Sequence, residues 1–313
     1  MSNLLVTGGL GFIGSEFVIQ ALSDDRVKKL TIIDKLTYAG KLTNLEPHLN
    51  NPKLKISIND IVDKSSIKSL FDNADIVVNF AAESHVDNSL TGIEPFLTTN
   101  ILGTANLLEM ARNANIVKFI QISTDEVYGS IENGSFTEES KLNPRNPYSA
   151  SKAAAENLCN AYIETYKLPV IITRSSNNYG PRQQNEKFIP NAISNLLKNQ
   201  PIKVYGEGMQ QREWIHVSDN AKAILEIVFS SIENGIYNIG SGIHSTNLNL
   251  AKKLIEIANL DPEKYVEFVP DRLGHDFRYS IDSSKLHRHI GWIPKIEFEV
   301  GLQSTFEWYK QNG

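Results

Sequence analysis

A glycine-spaced turn close to the N-terminus restricts this chain more than any other stretch. The apolar triplet Leu4-Leu5-Val6 runs into Thr7-Gly8-Gly9-Leu10-Gly11-Phe12-Ile13-Gly14. Ile13, Phe17, Val18, Ala21 and Leu22 then recur at helical spacing. Leu30 to Ile33, closed by Asp34, reads as the next buried strand. The alternation continues. Leu54, Ile56 and Ile58 mark a weaker third strand ending at Asn59-Asp60, and Ile67, Leu70 and Phe71 a short helix. Ile76 to Phe80 is a fourth strand that enters Ala81-Ala82. Helical spacing holds from about Pro95 to Asn113, Val117 to Ile122 is a fifth strand, a helix spans Tyr148 to about Tyr166, and Val170 to Thr173 is a sixth strand.

Near-continuous apolar strands separated by helices predict an α/β fold, a Rossmann-type doubly wound parallel sheet. After Arg174 the texture changes, and Asn, Gly, Pro and Arg cluster in Asn177-Asn178-Tyr179-Gly180-Pro181-Arg182 and Gly206-Glu207-Gly208. A helix at about Asp219 to Phe229 and a strand at Ile236 to Ile239 again look like sheet elements. The expected division is therefore residues 1–174 plus about 214–241 in the sheet domain. A smaller, discontinuous lobe takes 175–213 plus 242–313.

Gly8, Gly11 and Gly14 sit between strand and helix, where glycine lets backbone N–H groups approach a pyrophosphate and the helix N-terminus attracts it. Asp34 ends the second strand about twenty residues on, in the position that bonds a ribose 2′-hydroxyl and repels a 2′-phosphate. That favours NAD over NADP, and Lys35 beside it slightly weakens the choice. Asp60-Ile61 at the third strand's end either meets the adenine or serves as a cap. Ala81 and Ala82 are small where the fourth strand would pass a cofactor, though helix packing also explains them.

Composition removes several classes of partner. A formal net charge of -5 gives no electrostatic footprint for nucleic acid or an anionic membrane. No long apolar span or signal peptide is present, so the expected address is cytoplasmic. The single cysteine, Cys159, excludes an internal disulfide and reads as a packed helix position. No spacing of His, Cys or acids suggests a metal.

The fifth strand ends in Ser123-Thr124-Asp125-Glu126, and Tyr148 and Lys152 lie four apart on one helix face downstream. Ligands of open α/β sheets bind at such strand ends. A free phenol titrates at about 10, so a neighbouring ammonium and a nicotinamide cation would be needed to favour the phenolate. Such a phenolate takes the proton from an alcohol as hydride leaves for NAD.

Gly8 to Gly14 with Tyr148 and Lys152 resemble the extended short-chain dehydrogenase/reductase family, over essentially the whole chain. The resemblance implies NAD in a Rossmann domain, a nucleotide sugar in a C-terminal lobe, and a homodimer through helices near residues 95–113 and 148–166. Oxidation and return of hydride at one carbon leaves Asp125 and Glu126 unused. Two carboxylates at the hydride site imply a second proton-transfer step, with one protonated and one ionised.

Ser123 to Gly129, Asp34 to Gly40, Ala81 to Asp87, Ser176 to Pro181, Glu186 to Pro190 and Asp271 to Tyr279 closely resemble the dTDP-glucose 4,6-dehydratases. The roles implied are as follows. Tyr148, with Lys152, takes the 4-OH proton while hydride moves from C4 to NAD. Glu126 removes the C5 proton, Asp125 protonates the departing 6-OH, and hydride returns to C6. Thr124 bonds the 4-oxygen. Phe12, Ile13, Lys35, Leu36, Thr37, Asp60, Ile61, Ala81, Ala82, Ser84, Thr99 and Asn178 join the glycines and Asp34 around the cofactor. His85, Asn177, Glu186, Lys187, Lys203, Tyr205, Arg212, Asn247, Arg272 and His275 join Thr124 around the substrate. Arg212 and Arg272 are the diphosphate candidates, because guanidinium meets phosphate bidentately. Rival readings are a 4,6-dehydratase acting on UDP-glucose or an N-acetylated sugar, a nucleotide-sugar 4-epimerase, and a non-catalytic NAD-binding scaffold.

Overall fold

A computed structural model of the chain describes residues 1–271 and 276–312. Arg272 and His275 lie outside the described residues. The described strands are β1 Ser2–Thr7, β2 Val27–Asp34, β3 Leu54–Ile58, β4 Ile76–Asn79, β5 Lys118–Thr124 and β6 Val170–Ser175. They continue as β7 Asn177–Tyr179, β8 Ile202–Tyr205, β9 Gln211–His216, β10 Gly235–Ile239, β11 His244–Thr246 and β12 Val266–Val269.

Seven of these make one sheet in the order β10-β6-β5-β4-β1-β2-β3, every pairing parallel. From β1 the chain adds β2 and β3 on one side, then crosses to β4 on the other. The direction of winding reverses there, so a crevice opens at the carboxyl ends of β1 and β4. Both faces of the sheet are covered, which is why β1, β4 and β6 read as unbroken apolar runs. One core gathers Val6, Phe17, Ile32, Val78 and Ile224, and the core on the opposite face gathers Leu5, Ile33, Val77, Leu107 and Phe119.

Polar residues cross the middle of this sheet. The Thr7 hydroxyl donates to Asn79 Oδ1 at 2.6 Å, and Asn79 Nδ2 donates to Gln121 Oε1 at 2.9 Å. All three are buried. They satisfy one another, as buried polar groups must.

Two smaller sheets, β11-β9-β7 and β12-β8, lie outside the main one. A further core of Ile193, Val204, Trp214, Leu254 and Phe306 packs around them. The loop after β7 reaches back to the first domain's elements. Arg182 forms an ion pair with Glu16 on the Phe12–Leu22 helix, Gln184 Nε2 donates to the Ala39 carbonyl at 2.9 Å, and Lys187 Nζ to the Ser84 carbonyl at 2.8 Å.

The helical stretch from Glu94 to Asn113 is interrupted by a π-helical segment, Leu97–Gly103. Such segments gather at functional sites. Here it carries Thr99 and Asn100. Asn100 Oδ1 accepts from the Glu83 amide at 2.8 Å and its Nδ2 donates to the Ser151 hydroxyl at 2.8 Å, which fixes the loop after β4 against the Pro147–Tyr166 helix.

Candidate active site

β5 runs two residues further than its apolar run, to Thr124, before a 3-10 turn over Asp125–Tyr128. Thr124 Oγ1 accepts from the Glu126 amide at 3.2 Å and so caps that turn. The chain leaves through Gly129, whose φ of 83° lies in the left-handed region open to glycine. The Pro147–Tyr166 helix begins alongside. Asn146 caps it, with Oδ1 accepting from the Ser149 amide at 2.8 Å, and Pro147 fills the first helical position. The same Asn146 donates from Nδ2 to Glu126 Oε2 at 3.3 Å. One cap residue thus ties the strand-end carboxylate to the helix that presents Tyr148 in its first turn. Tyr148 and Thr124 line the same cleft, and the Thr124 side chain works against the upward shift of the Tyr148 phenol.

The two carboxylates differ in environment. Asp125 is 2% exposed, and burial followed by the neighbouring Glu126 charge raises its pKa well above the usual carboxylate range. Burial thus favours its protonated form. Its Oδ1 accepts from the Thr124 hydroxyl at 3.2 Å, while Oδ2 has no hydrogen-bond partner among the described residues. Glu126 is half-buried. Of the pair, it is the one whose surroundings tolerate charge.

The expected influence of Lys152 on Tyr148 is corrected. The Tyr148 phenol is pushed up, not down, by burial first and then by the Glu126 charge. Lys152 Nζ donates to the Ile122 carbonyl at 2.5 Å, and burial draws its pKa down to about 8. Helical spacing put the two side chains on one face, but the ammonium faces the strand backbone. A cation brought into the cleft from elsewhere is what would favour the phenolate.

Two adjoining clefts share Gly8, Gly11, Ala39, Phe80 and Ala82. The smaller, of about 510 Å³, holds Asp34, Lys35, Thr37, Asp60, Ile61, Ala81 and Thr99. The larger, of about 1060 Å³ with its open mouth, holds Phe12, Ile13, Gly14, Ser84, Thr124, Asp125, Glu126, Tyr148, Lys152, Asn177, Asn178 and Lys187. A Cβ at Gly8 would come within 2.6 Å of the Ala81 nitrogen, and one at Gly14 would collide with the Gly8 carbonyl oxygen. This glycine cradle packs so closely on its own backbone and on the chain after β4 that a side chain at either position would displace it. Within the larger cleft, Asp125 Oδ2, Ser176 Oγ, Asn177 Oδ1, Asn178 Oδ1 and Gln183 Oε1 are buried without a hydrogen-bond partner among the described residues. Buried polar groups left without partners suit a ligand that hydrogen-bonds to them. Cradle and acceptors together fit a dinucleotide beside a polyhydroxylated substrate.

Asp34 does two jobs at once. Its oxygens accept from the Leu10 amide at 3.0 Å and the Leu36 amide at 2.9 Å, and each keeps capacity for one more hydrogen bond. Lys35 lies 3.6 Å from Asp60 and 3.9 Å from Glu83, and donates to the Thr99 hydroxyl at 3.1 Å. Its charge is therefore directed along the cleft wall to those acids. Asp34→Asn is expected to shrink the preference for NAD over NADP by about tenfold, the size of one charge-assisted bond, as read from the ratio of the two dissociation constants. An unchanged ratio would remove Asp34 as the selector.

Other expected contacts stand elsewhere. Leu36, His85, Glu186, Lys203, Tyr205, Arg212 and Asn247 line neither cleft. Arg212 is buried. It donates from Nη2 to the Asp276 carbonyl at 2.9 Å and from Nη1 to the Gln211 carbonyl at 2.8 Å, with its guanidinium 4.4 Å above the Tyr279 ring. A diphosphate contact there requires those carbonyls to yield it. Sequence reasoning missed Phe80, Glu83, Ile122, Ser175, Gln183 and Gln184, which do line the clefts. Each lies within or directly beside a quoted motif, with Phe80, Ile122 and Ser175 the residue immediately before one. Among the described residues no group of three or more His, Cys, Asp or Glu side chains is placed to hold a metal.

Comparison with known proteins bears on this constellation. Residues 5–305 match the GDP-mannose 4,6 dehydratase family. The low-salt glycan biosynthesis protein Agl12 of Haloferax volcanii is 48% identical over 98% of this chain and 98% of its own. A dTDP-glucose 4,6-dehydratase of an Actinoplanes species is 42% identical over 99% of this chain and 98% of its own. The crystal structure of DesIV, a dTDP-glucose 4,6-dehydratase of Streptomyces venezuelae solved with NAD bound, superposes with a TM-score of 0.96 at 43% identity, covering 99% of this chain and 97% of that one. The likeness seen in separate motifs thus extends along essentially the whole length of the chain, and the chain belongs to the GDP-mannose 4,6 dehydratase family.

Proposed function

We propose that the chain is a hydro-lyase that converts dTDP-glucose to dTDP-4-keto-6-deoxyglucose and water with NAD as its cofactor. One observation carries this reading: Asp125 and Glu126 line the same cleft as Tyr148, the first fully buried in surroundings that favour its protonated form, the second half-buried. A reaction confined to C4 needs neither carboxylate. Elimination across C5 and C6 needs both, one to accept a proton and one to give one.

The glycine cradle, Asp34 and Thr99 would hold the cofactor. NAD⁺, when bound, supplies a reversible store for the hydride that leaves C4 and returns at C6. Tyr148 accepts the 4-OH proton at its phenolic oxygen, and Thr124, which lines the same cleft, orients the 4-oxygen. Once C4 is a carbonyl, the C5 proton is acidic, and the Glu126 carboxylate removes it. Asp125 gives its proton to the 6-oxygen, so C6–O breaks and water departs. Glu126 then returns a proton to C5. Lys187 and the unpartnered Asn177 acceptor suit the sugar and phosphates at the mouth.

Residues 1–174 with about 214–241 are assigned to the cofactor, and 175–213 with 242–313 to the nucleotide sugar. The separate cores around the main sheet and around β8 and β9 support this division. A homodimer is supported by exposed apolar side chains, Leu97 and Leu102 in the π-helical segment and Leu90 and Ile93 just before it. Sedimentation should give twice the 35.0 kDa chain mass. A cytoplasmic address is supported by a lone, buried Cys159 and no disulfide.

The test of function is product mass. Purified protein incubated with dTDP-glucose is expected to yield a sugar nucleotide lighter by one water. Unchanged mass with inversion at C4 would make it an epimerase. Turnover of UDP-glucose or an N-acetylated sugar in preference would move the substrate, and no turnover of any sugar nucleotide would leave a binding scaffold.

A further inference from the structure

Asn146 offers more than a helix cap requires. An N-cap needs a side-chain acceptor for a first-turn N–H, and Ser, Asp or Thr supplies one as well. Here Oδ1 fills that need by accepting from the Ser149 amide at 2.8 Å, and the Ser149 hydroxyl accepts in return from the Asn146 amide at 3.3 Å. The side-chain nitrogen is surplus to the cap. It donates to Glu126 Oε2 at 3.3 Å. The orientation of the amide follows from its neighbours. Turned over, it would set its NH2 against the Ser149 N–H and its oxygen against a carboxylate.

The surrounding chain holds this residue still. Pro147 restricts the residue before it to extended backbone. Asn146 has φ −140° and ψ 163°, the extended conformation in which an N-cap sits. Upstream, the loop is seated on the turn that carries Glu126. The Asn143 amide donates to the Val127 carbonyl at 3.0 Å, and Leu142 packs against the cluster containing Val127 and Tyr128. At Gly129 a Cβ would come within 2.5 Å of the Asn143 carbonyl oxygen, so the approach of the two segments depends on glycine there. Asn146 and Glu126 thus meet from two segments already locked together beside the contact.

We propose that Asn146 is a positioning residue for the C5 base: its Nδ2 pins the Glu126 carboxylate relative to Tyr148, while its Oδ1 caps the helix that presents Tyr148. This deepens the dehydratase reading and rests on it. Tyr148 follows two positions later on the same backbone. One short segment therefore places the group that takes a proton from the 4-hydroxyl and steadies the group that takes one from the adjoining carbon. A glutamate with free rotors must be caught in the right rotamer for each elimination, whereas a pinned one is ready when C4 becomes a carbonyl.

The experiment is a single turnover of dTDP-glucose by the NAD-loaded enzyme, wild type beside Asn146→Ser, followed by reduced-nicotinamide absorbance. Serine caps about as well as asparagine, so the melting temperature and the rise of absorbance, which reports C4 oxidation, should hold. The decay of absorbance waits on water loss before hydride returns to C6. It should slow about tenfold, the size of one hydrogen bond to a charged group. If the wild type accumulates no reduced cofactor, the serine variant should. In steady state kcat should fall with KM nearly constant, as when an interaction counts only beyond the ground state.

A folded serine variant with wild-type decay overturns the role of Asn146. Rise and decay slowed alike would overturn it too, because that pattern means a loosened helix start that displaces Tyr148. Should the serine variant not fold, Asn146→Asp carries the test. It keeps the shape and the cap but sets a second carboxylate against Glu126, which disfavours the ionised base. Its decay should slow at least as much, and wild-type decay in it overturns the assignment. The functional reading fails separately: it falls if the wild type itself removes no water from any sugar nucleotide, and the role of Asn146 falls with it.

Discussion

Glu126→Gln is expected to leave dTDP-glucose oxidised at C4 but not dehydrated. The amide keeps the size of the side chain and can keep a hydrogen bond with Asn146, which donates to Glu126 at 3.3 Å in the wild type. What it loses is the ability to take a proton from C5. General-base losses of this kind run to about a hundredfold to ten-thousandfold, and the elimination step should fall by that much. On this reading oxidation rests on Tyr148 and Thr124, whose side chains the substitution leaves in place, and loss of the Glu126 charge eases ionisation of the Tyr148 phenol. Two measurements check this. Water loss, followed by product mass, should nearly stop. Exchange of the C5 hydrogen in deuterated water, expected of the wild type if Glu126 is the base, should stop with it. Near-wild-type dehydration would remove Glu126 as the base and pass the task to Asp125, whose burial argues against it.

Tyr148→Phe should fail one step earlier. The ring still packs edge-on against Phe96, 6.3 Å between centroids, so the helix start keeps its apolar contacts. The proton acceptor for the 4-hydroxyl is gone, and the loss should again be about a hundredfold to ten-thousandfold. Here no reduced-nicotinamide absorbance should appear on mixing with substrate, whereas Glu126→Gln should show it. The pair of variants thus divides the reaction at the ketone. Because burial and Glu126 hold the Tyr148 phenol protonated, the wild type should release a proton to solvent when the oxidised cofactor binds, in an amount that rises with pH. Proton release absent at every pH would mean that the phenol keeps its proton until substrate arrives.

Much of this was readable from the chain. The glycine turn, Asp34 and the alternation of apolar strands fixed the parallel sheet, because burial on both faces leaves a signal in every strand. Tyr148 and Lys152 were legible through helical spacing, and Asp125-Glu126 through their place after an apolar run. Other features left no such signal. β7, β8, β11 and β12 are strands of three or four residues in the smaller sheets, too brief for a period to show, and β9 opens on the polar run Gln211-Arg212-Glu213. Thr7, Asn79 and Gln121 interrupt apolar strands, and only the fold reveals that they pair with one another. Spacing also could not say where Lys152 points along its helix face. Nor could charge alone show that Arg212 is buried against Tyr279 and backbone carbonyls. Charge type indicates which ligands a residue suits, while its neighbours decide what it meets.

The loop after β7 has a consequence for how such chains can be recombined. Arg182 belongs to the stretch that leads into the β8–β9 core, yet its ion-pair partner, Glu16, sits on the first helix of the sheet. Glu16 also accepts from the Ser218 hydroxyl at 2.7 Å, on the Val217–Phe229 helix that packs beside it. A chimera that took residues 175–213 from a relative without a cation at position 182 would leave a largely buried carboxylate facing a neutral loop. The two halves of the cleft are therefore inherited as a matched set, and a crossover anywhere between Glu16 and Arg182 must carry both charges or neither.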